Sequence, residues 1–178
     1  NGGLSAHNCV YDGLNGNYNE NDYHNATDVY GKTKSLGEPE NCTVIRSSII
    51  GEEINQGRSF LEWVKSNKNK EVFGYTNHVW NGVTCLQFAK ICEEIINKKL
   101  YWNGVRHLFS PTPIIKGELV KMVSDIYNLN VKINYKETDI KCDRSISTIL
   151  EKIDINIPEL YDQIIELKDF YEILKKEL

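Results

Sequence analysis

The sequence predicts a single α/β domain on three observations. Short β-branched runs alternate with segments of helical period, residues suited to capping stand at the ends of those segments, and the 178 residues are 40% hydrophobic, enough for one globular core. Residues 43–50 (Thr-Val-Ile-Arg-Ser-Ser-Ile-Ile) form a strand closed by Gly51, and residues 9–11 look like the end of an earlier strand. Between them runs a polar, asparagine-rich loop over residues 12–28; a loop of that length in a compact domain is usually functional or mobile.

Residues 29–38 favour a helix, with Asp28 as N-cap and Pro39 as a stop. Residues 59–67 make a short helix that puts Phe60, Trp63 and Val64 on one face, and Thr84 caps a second helix over residues 85–97. Strands over 105–109 and 131–135 flank a helix over 116–127. The last helix follows Pro158 and keeps Leu160, Ile164, Leu167, Tyr171 and Leu174 near one face. These elements point to a single open sheet with helices.

The net charge of −4 gives no broad attraction to nucleic-acid phosphates or an anionic membrane. No apolar run approaches the roughly 18 residues of a membrane span, and the first four residues have neither the basic nor the apolar part of a signal peptide, so the expectation is a soluble, cytoplasmic protein. Five widely spaced cysteines, with no CxxC and no histidine at metal-ligand spacing, are expected to be reduced and mostly buried, and no metal site is predicted.

Chemistry is concentrated in Tyr30-Gly31-Lys32-Thr33-Lys34. A tyrosine and a lysine four apart on a helix share a face. A phenol is a poor acid near neutrality, but an adjacent ammonium stabilises the phenolate, so the hydroxyl can give its proton to a forming alkoxide. That suits reduction of a carbonyl by hydride. The same spacing also occurs on many solvated helices, so the neighbouring motifs decide its meaning.

Those motifs are Cys9-Val10-Tyr11-Asp12-Gly13, Tyr18-Asn19-Glu20-Asn21-Asp22, Val29-Tyr30-Gly31-Lys32-Thr33-Lys34 with Gly37-Glu38, and Val44-Ile45-Arg46-Ser47-Ser48, in that order. Together they resemble the extended short-chain dehydrogenases, and among them the dTDP-4-dehydrorhamnose reductase group. The resemblance thins beyond Trp80-Asn81-Gly82-Val83-Thr84, although Leu108-Phe109-Ser110-Pro111 followed by Glu118-Leu119-Val120 still fits the substrate side of that family. It implies a Rossmann-type parallel sheet, of which this chain would be the C-terminal portion, plus a small substrate-binding α/β region. Residues 1–75 would be a partial Rossmann sheet carrying the Tyr30–Lys34 helix, and residues 76–178 mainly the substrate-binding region and the C-terminal helix.

By the same resemblance Tyr30 is the proton donor, and Lys34 binds the ribose of NADPH or NADH and tunes Tyr30. Ser47 and Ser48 pass close to the cofactor, and Trp80, Asn81 and Arg144 lie toward a nucleotide-sugar substrate. The family's third catalytic residue, a serine or threonine, falls at His7, whose imidazole can donate or accept a hydrogen bond and, as a donor, would hold the substrate carbonyl. A second departure is the lack of any GxGxxG or GxxGxxG cradle for a dinucleotide pyrophosphate, so a cofactor-binding half absent from this sequence is expected.

The function implied is NAD(P)H-dependent reduction of a nucleotide-activated 4-keto-6-deoxy sugar, as in dTDP-rhamnose biosynthesis. The partners would be the sugar nucleotide together with a second copy or a separate cofactor-binding polypeptide. The alternatives are a non-catalytic regulatory or binding subunit of the same fold, in which His7 replaces the catalytic hydroxyl, and a nucleotide-sugar epimerase or dehydratase, which also uses the tyrosine and lysine.

Overall fold

A computed structural model describes residues 3–36, 38–39, 41–53 and 59–177, and for residues 3–8 the backbone alone. Strand β1 (Gly3–His7) runs parallel to β2 (Thr43–Ser47), pairing Gly3 with Thr43 and His7 with Ser47. On its other side β2 pairs in parallel with β7 (Gly104–His107), setting Arg46 opposite His107. Three strands in parallel register need crossovers, and the chain supplies them through α1 (Val29–Leu36) between β1 and β2 and α3 (Cys85–Asn97) between β2 and β7.

The remaining strands do not extend this sheet. Ser48 interrupts the predicted 43–50 strand, accepting a backbone bond from Val83 at 2.8 Å, and the chain continues as β3 (Ile49–Ile50), parallel to β6 (Val83–Thr84). Among the described residues β4 (Glu71–Tyr75) pairs with β9 (Lys132–Lys136), and β5 (His78–Trp80) lies between β10 (Cys142–Asp143) and β8 (Ile114–Ile115). The single open sheet expected from the sequence is therefore four small sheets among these residues. The first strand also ends earlier than expected: residues 8–10 form a 3₁₀ turn, and the Val10 carbonyl accepts bonds from the amides of Asn25 and Ala26.

Helices α2 (Phe60–Ser66), α4 (Lys116–Ile126) and α5 (Leu160–Glu177) enclose the largest core, built on Leu61, Val64, Leu119, Val123, Ile164 and Leu167. Caps set the helix starts where the sequence puts them. Ser59 Oγ accepts from Glu62 N at 3.3 Å, and Thr84 Oγ1 accepts from Gln87 N at 3.1 Å. A second core of Val10, Tyr11, Tyr18 and Ile146 lies under the asparagine-rich loop, where the Tyr11 and Tyr18 rings stack in parallel at 4.2 Å. In the third, Ile45, Ile91, Ile95 and Leu108 are covered by Ile153, Ile155 and Ile157 of the segment before α5.

The cysteines carry free thiols and are half-buried rather than mostly buried. No helix among the described residues is long and apolar enough to cross a membrane.

Candidate active site

Helix α1 is seated by two local features. Asp28 Oδ1 accepts the Gly31 amide at 2.8 Å, capping the helix, and this bond is the main reason that the Asp28 carboxyl lies below its usual range. Gly31 then lies directly on the turn at residues 9–10. A Cβ there would overlap the Cys9 carbonyl oxygen and come within 2.5 Å of Ala26 Cβ. With Gly31 turned onto residues 9–10, the neighbouring Tyr30 is left 55% exposed and Lys34 half-buried. Lys34 Nζ stands 5.3 Å from the Tyr30 ring centroid, so the ammonium and the phenol form one group one helical turn apart.

Arg144 comes toward this helix from the far end of the sequence. Its side chain lies against Gly13, and its charge acts on Cys9, Asp12 and Asp28 at the foot of α1. Burial raises the Cys9 thiol above its usual range despite nearby Arg144 and Lys34. Asp12 loses solvation by burial, yet bonds from the Leu14 amide, the Tyr18 hydroxyl and the Asn25 side chain outweigh that loss and lower its pKa.

Arg144 also borders a cavity of about 240 Å³ with Phe60, His78, Trp80, Lys116 and Leu119. The cavity has apolar walls and a cationic rim, and burial followed by the charge of Lys116 pushes the His78 pKa down.

The other residues singled out in the sequence take different positions. Ser47 is fully buried, whereas Ser48 is part-exposed and accepts the Trp80 indole N–H at 2.7 Å, which orients that ring at the cavity wall. Asn81 is 2% exposed and its amide is bonded at both ends by one residue: Oδ1 accepts from Ile146 N at 2.9 Å and Nδ2 donates to Ile146 O at 2.8 Å. It thus holds the segment bearing Arg144 instead of reaching into the cavity. The His7 backbone lies opposite Ser47, and its side chain lies outside the described residues.

Sequence reasoning missed a buried polar cluster behind α1. Arg46, 2% exposed, spends all five of its N–H groups. Nε and Nη2 fork onto Glu38 at 3.0 and 2.5 Å, Nη1 reaches Tyr11 Oη at 2.7 Å and His107 Nε2 at 2.8 Å, and Nη2 also reaches His24 Nε2 at 2.8 Å. A guanidinium only donates, so both imidazoles are neutral and carry their proton on Nδ1; His107 gives it to the Ser147 carbonyl at 2.7 Å and His24 to Ser35 Oγ at 2.6 Å. Burial, then Arg46, lowers both histidine pKa values, and burial pushes Tyr11 up to about 12. The one signal available beforehand was an arginine directly after Val44 and Ile45 in a strand run.

The α/β backbone is Rossmann-like, and solved structures that share it include several named for work on nucleotide sugars. A hypothetical dTDP-4-dehydrorhamnose reductase from Sulfolobus tokodaii is 22% identical with a TM-score of 0.66, over 81% of this chain and 54% of that one. The dTDP-4-dehydrorhamnose reductase of Bacillus anthracis, in complex with NADP, gives a TM-score of 0.73 at 14% identity, over 96% of this chain and 65% of that one. The dTDP-glucose 4,6-dehydratase of Bacillus anthracis, in complex with NAD, gives 0.62 at 12% identity, over 98% and 62%.

At 12–22% identity this likeness is one of fold. This chain spans between 54% and 65% of the length of these structures. No protein-family model matches it, and no curated protein matches its sequence.

Proposed function

We propose that this chain supplies the proton-donor and substrate-binding half of an NAD(P)H-dependent reductase acting on a nucleotide-activated 4-keto-6-deoxy sugar, as in dTDP-rhamnose biosynthesis. The single observation that carries the reading is the Tyr30–Lys34 pair, outward on one helix face with 5.3 Å between ammonium and ring. The nicotinamide end of a dinucleotide fits this face, where a phenol and an ammonium can bond its ribose hydroxyls; the glycine-rich cradle for its pyrophosphate would come from a second, dinucleotide-binding half. When bound, the cofactor supplies a hydride to the carbonyl carbon.

As the carbonyl oxygen gains charge, Tyr30 Oη gives it a proton, yielding the alcohol, and Lys34 stabilises the phenolate left behind. Ser47 and Ser48 end the strand on the cofactor side, and His7, paired through its backbone with Ser47, is the third candidate for holding the carbonyl oxygen. The cationic rim formed by Arg144 suits the diphosphate of a sugar nucleotide, Trp80 offers an apolar wall, and Asn81 serves substrate binding by fixing the Arg144 segment.

The test is turnover of a dTDP-4-keto-6-deoxy sugar with NADPH by this chain joined to its dinucleotide-binding half, with the product identified. Reduction by the wild type and a loss on the order of 100-fold or more in Tyr30→Phe, with the fold retained, is the expected result. Unchanged turnover with phenylalanine at position 30 would remove the proposed proton donor. An epimerised or dehydrated product without net oxidation of NADPH would replace reduction with the chemistry of the related dehydratases and epimerases.

A further inference from the structure

We propose that Arg46 is a positioning residue for the Tyr30–Lys34 pair, acting through Glu38, His24 and Ser35 to clamp the C-terminal end of α1 to the parallel sheet. The inference rests on the reading of Tyr30 and Lys34 as the catalytic pair. Its physical basis begins with an imbalance in α1. The N-terminal end is held by the Asp28 cap and by the contact of Gly31 with Cys9, but Val29 and Leu36 are 79% and 88% exposed, and Gly31 is the only buried residue among the helix's described residues.

An eight-residue helix with so little apolar burial is marginal by itself. Lys34 lies in the last turn, beyond the contacts that seat the first, and its distance from Tyr30 depends on what holds that turn.

Arg46 provides that hold. It projects from the middle strand of the sheet, which is paired on both edges and is the most constrained element nearby. Two of its connections run to the end of α1: the bidentate bond to Glu38, just beyond the helix, and the relay through His24 to the hydroxyl of Ser35, the residue after Lys34. A fork-to-fork pair fixes direction as well as distance, and here it is nearly dry, with the Arg46 and Glu38 side chains 2% and 9% exposed.

The other two connections, to Tyr11 and His107, hold the guanidinium from behind, so the clamp cannot swing. The bonds of Arg46 run to Glu38, His24, Tyr11 and His107, and that of His24 runs on to Ser35. Their effect on chemistry is therefore through the orientation of Lys34 and Tyr30.

The test uses Glu38→Gln, which keeps the shape and removes the charge, and Ser35→Ala, a milder change that remains informative should the first variant fail to fold. Amide hydrogen exchange and imidazole ¹⁵N spectra are recorded on the 178-residue chain, and kinetics on the reconstituted reductase. The expected result is faster exchange in residues 33–36 with β2 and β7 unchanged, a shifted His24 Nδ1 resonance in Ser35→Ala where its hydrogen-bond partner is lost, and a kcat lower by up to about 100-fold at a KM within about twofold.

Val29→Ala, 79% exposed in the first turn of α1, is the control and leaves both exchange in residues 33–36 and kcat unchanged. Unaltered exchange in both variants, or loosened exchange with wild-type kcat, overturns the proposal. A wild type with no reductase turnover instead removes the proposed function, while the exchange and ¹⁵N measurements still decide whether the clamp exists.

Discussion

Replacing Gly31 by alanine sets two opposed effects against each other on one atom. In a helix interior the change normally stabilises by about 1 kcal/mol, because alanine loses less backbone entropy than glycine. At Gly31 the new methyl meets the Cys9 carbonyl oxygen and, at 2.5 Å, Ala26 Cβ. Neither is the end of a flexible side chain. One is backbone, and the other is on a segment whose amide is bonded to Val10 O at 2.9 Å, so relief requires α1 to move away from the turn by roughly 1 Å.

Overpacking of this kind costs about 1–3 kcal/mol, and the helix-propensity gain leaves a net loss of about 0–2 kcal/mol. For a chain of 178 residues each kcal/mol is worth about 2–4 °C, so thermal unfolding followed by circular dichroism is expected to show a fall of up to about 8 °C. A rise in Tm would mean that α1 does not sit against the Cys9 carbonyl. The account of how Tyr30 and Lys34 come to face outward would then fail.

Asn81→Ala leaves the buried amide and carbonyl of Ile146 without their partner and is expected to lower stability by about 2–3 kcal/mol in urea titration, with faster exchange of the Ile146 amide; wild-type exchange there would contradict the assigned role. The pH dependence follows from the two histidines behind α1, with His78 at the cavity shifted in the same direction. Both have folded pKa values below the ordinary 6.5, so the native state binds fewer protons than the unfolded chain as the pH falls, and the stability present above about 6.5 is lost below it. The urea midpoint is expected to drop between pH 6.5 and 5, with a shallower slope in His107→Gln; a flat wild-type profile over that window refutes the neutral assignment.

Much of the helical structure was legible from local chemistry. Ser59 and Thr84 start α2 and α3 where a hydroxyl precedes an amphipathic run, Asp28 caps α1, and Pro158 stands just before α5. The Tyr30–Lys34 face was readable for the same reason, since four residues on a helix fix a common side regardless of what surrounds it. Short strands such as Ile49–Ile50 and Cys142–Asp143 had no comparable signal, because two residues carry no alternation to detect.

By itself, the sequence determined which segments are helical, where they begin, and that a phenol and an ammonium share one of them. Tertiary structure alone decided that Ser48 ends one sheet and opens another, that Asn81 serves the backbone of Ile146 across 65 positions, and that Arg46 joins His107 across 61 and Glu38 across 8. Caps and helical faces are written within a few residues of the chain. The partner of a buried charge or of an unpaired strand edge is chosen by whichever distant group arrives when the apolar faces close, and burial without such a partner costs too much to persist.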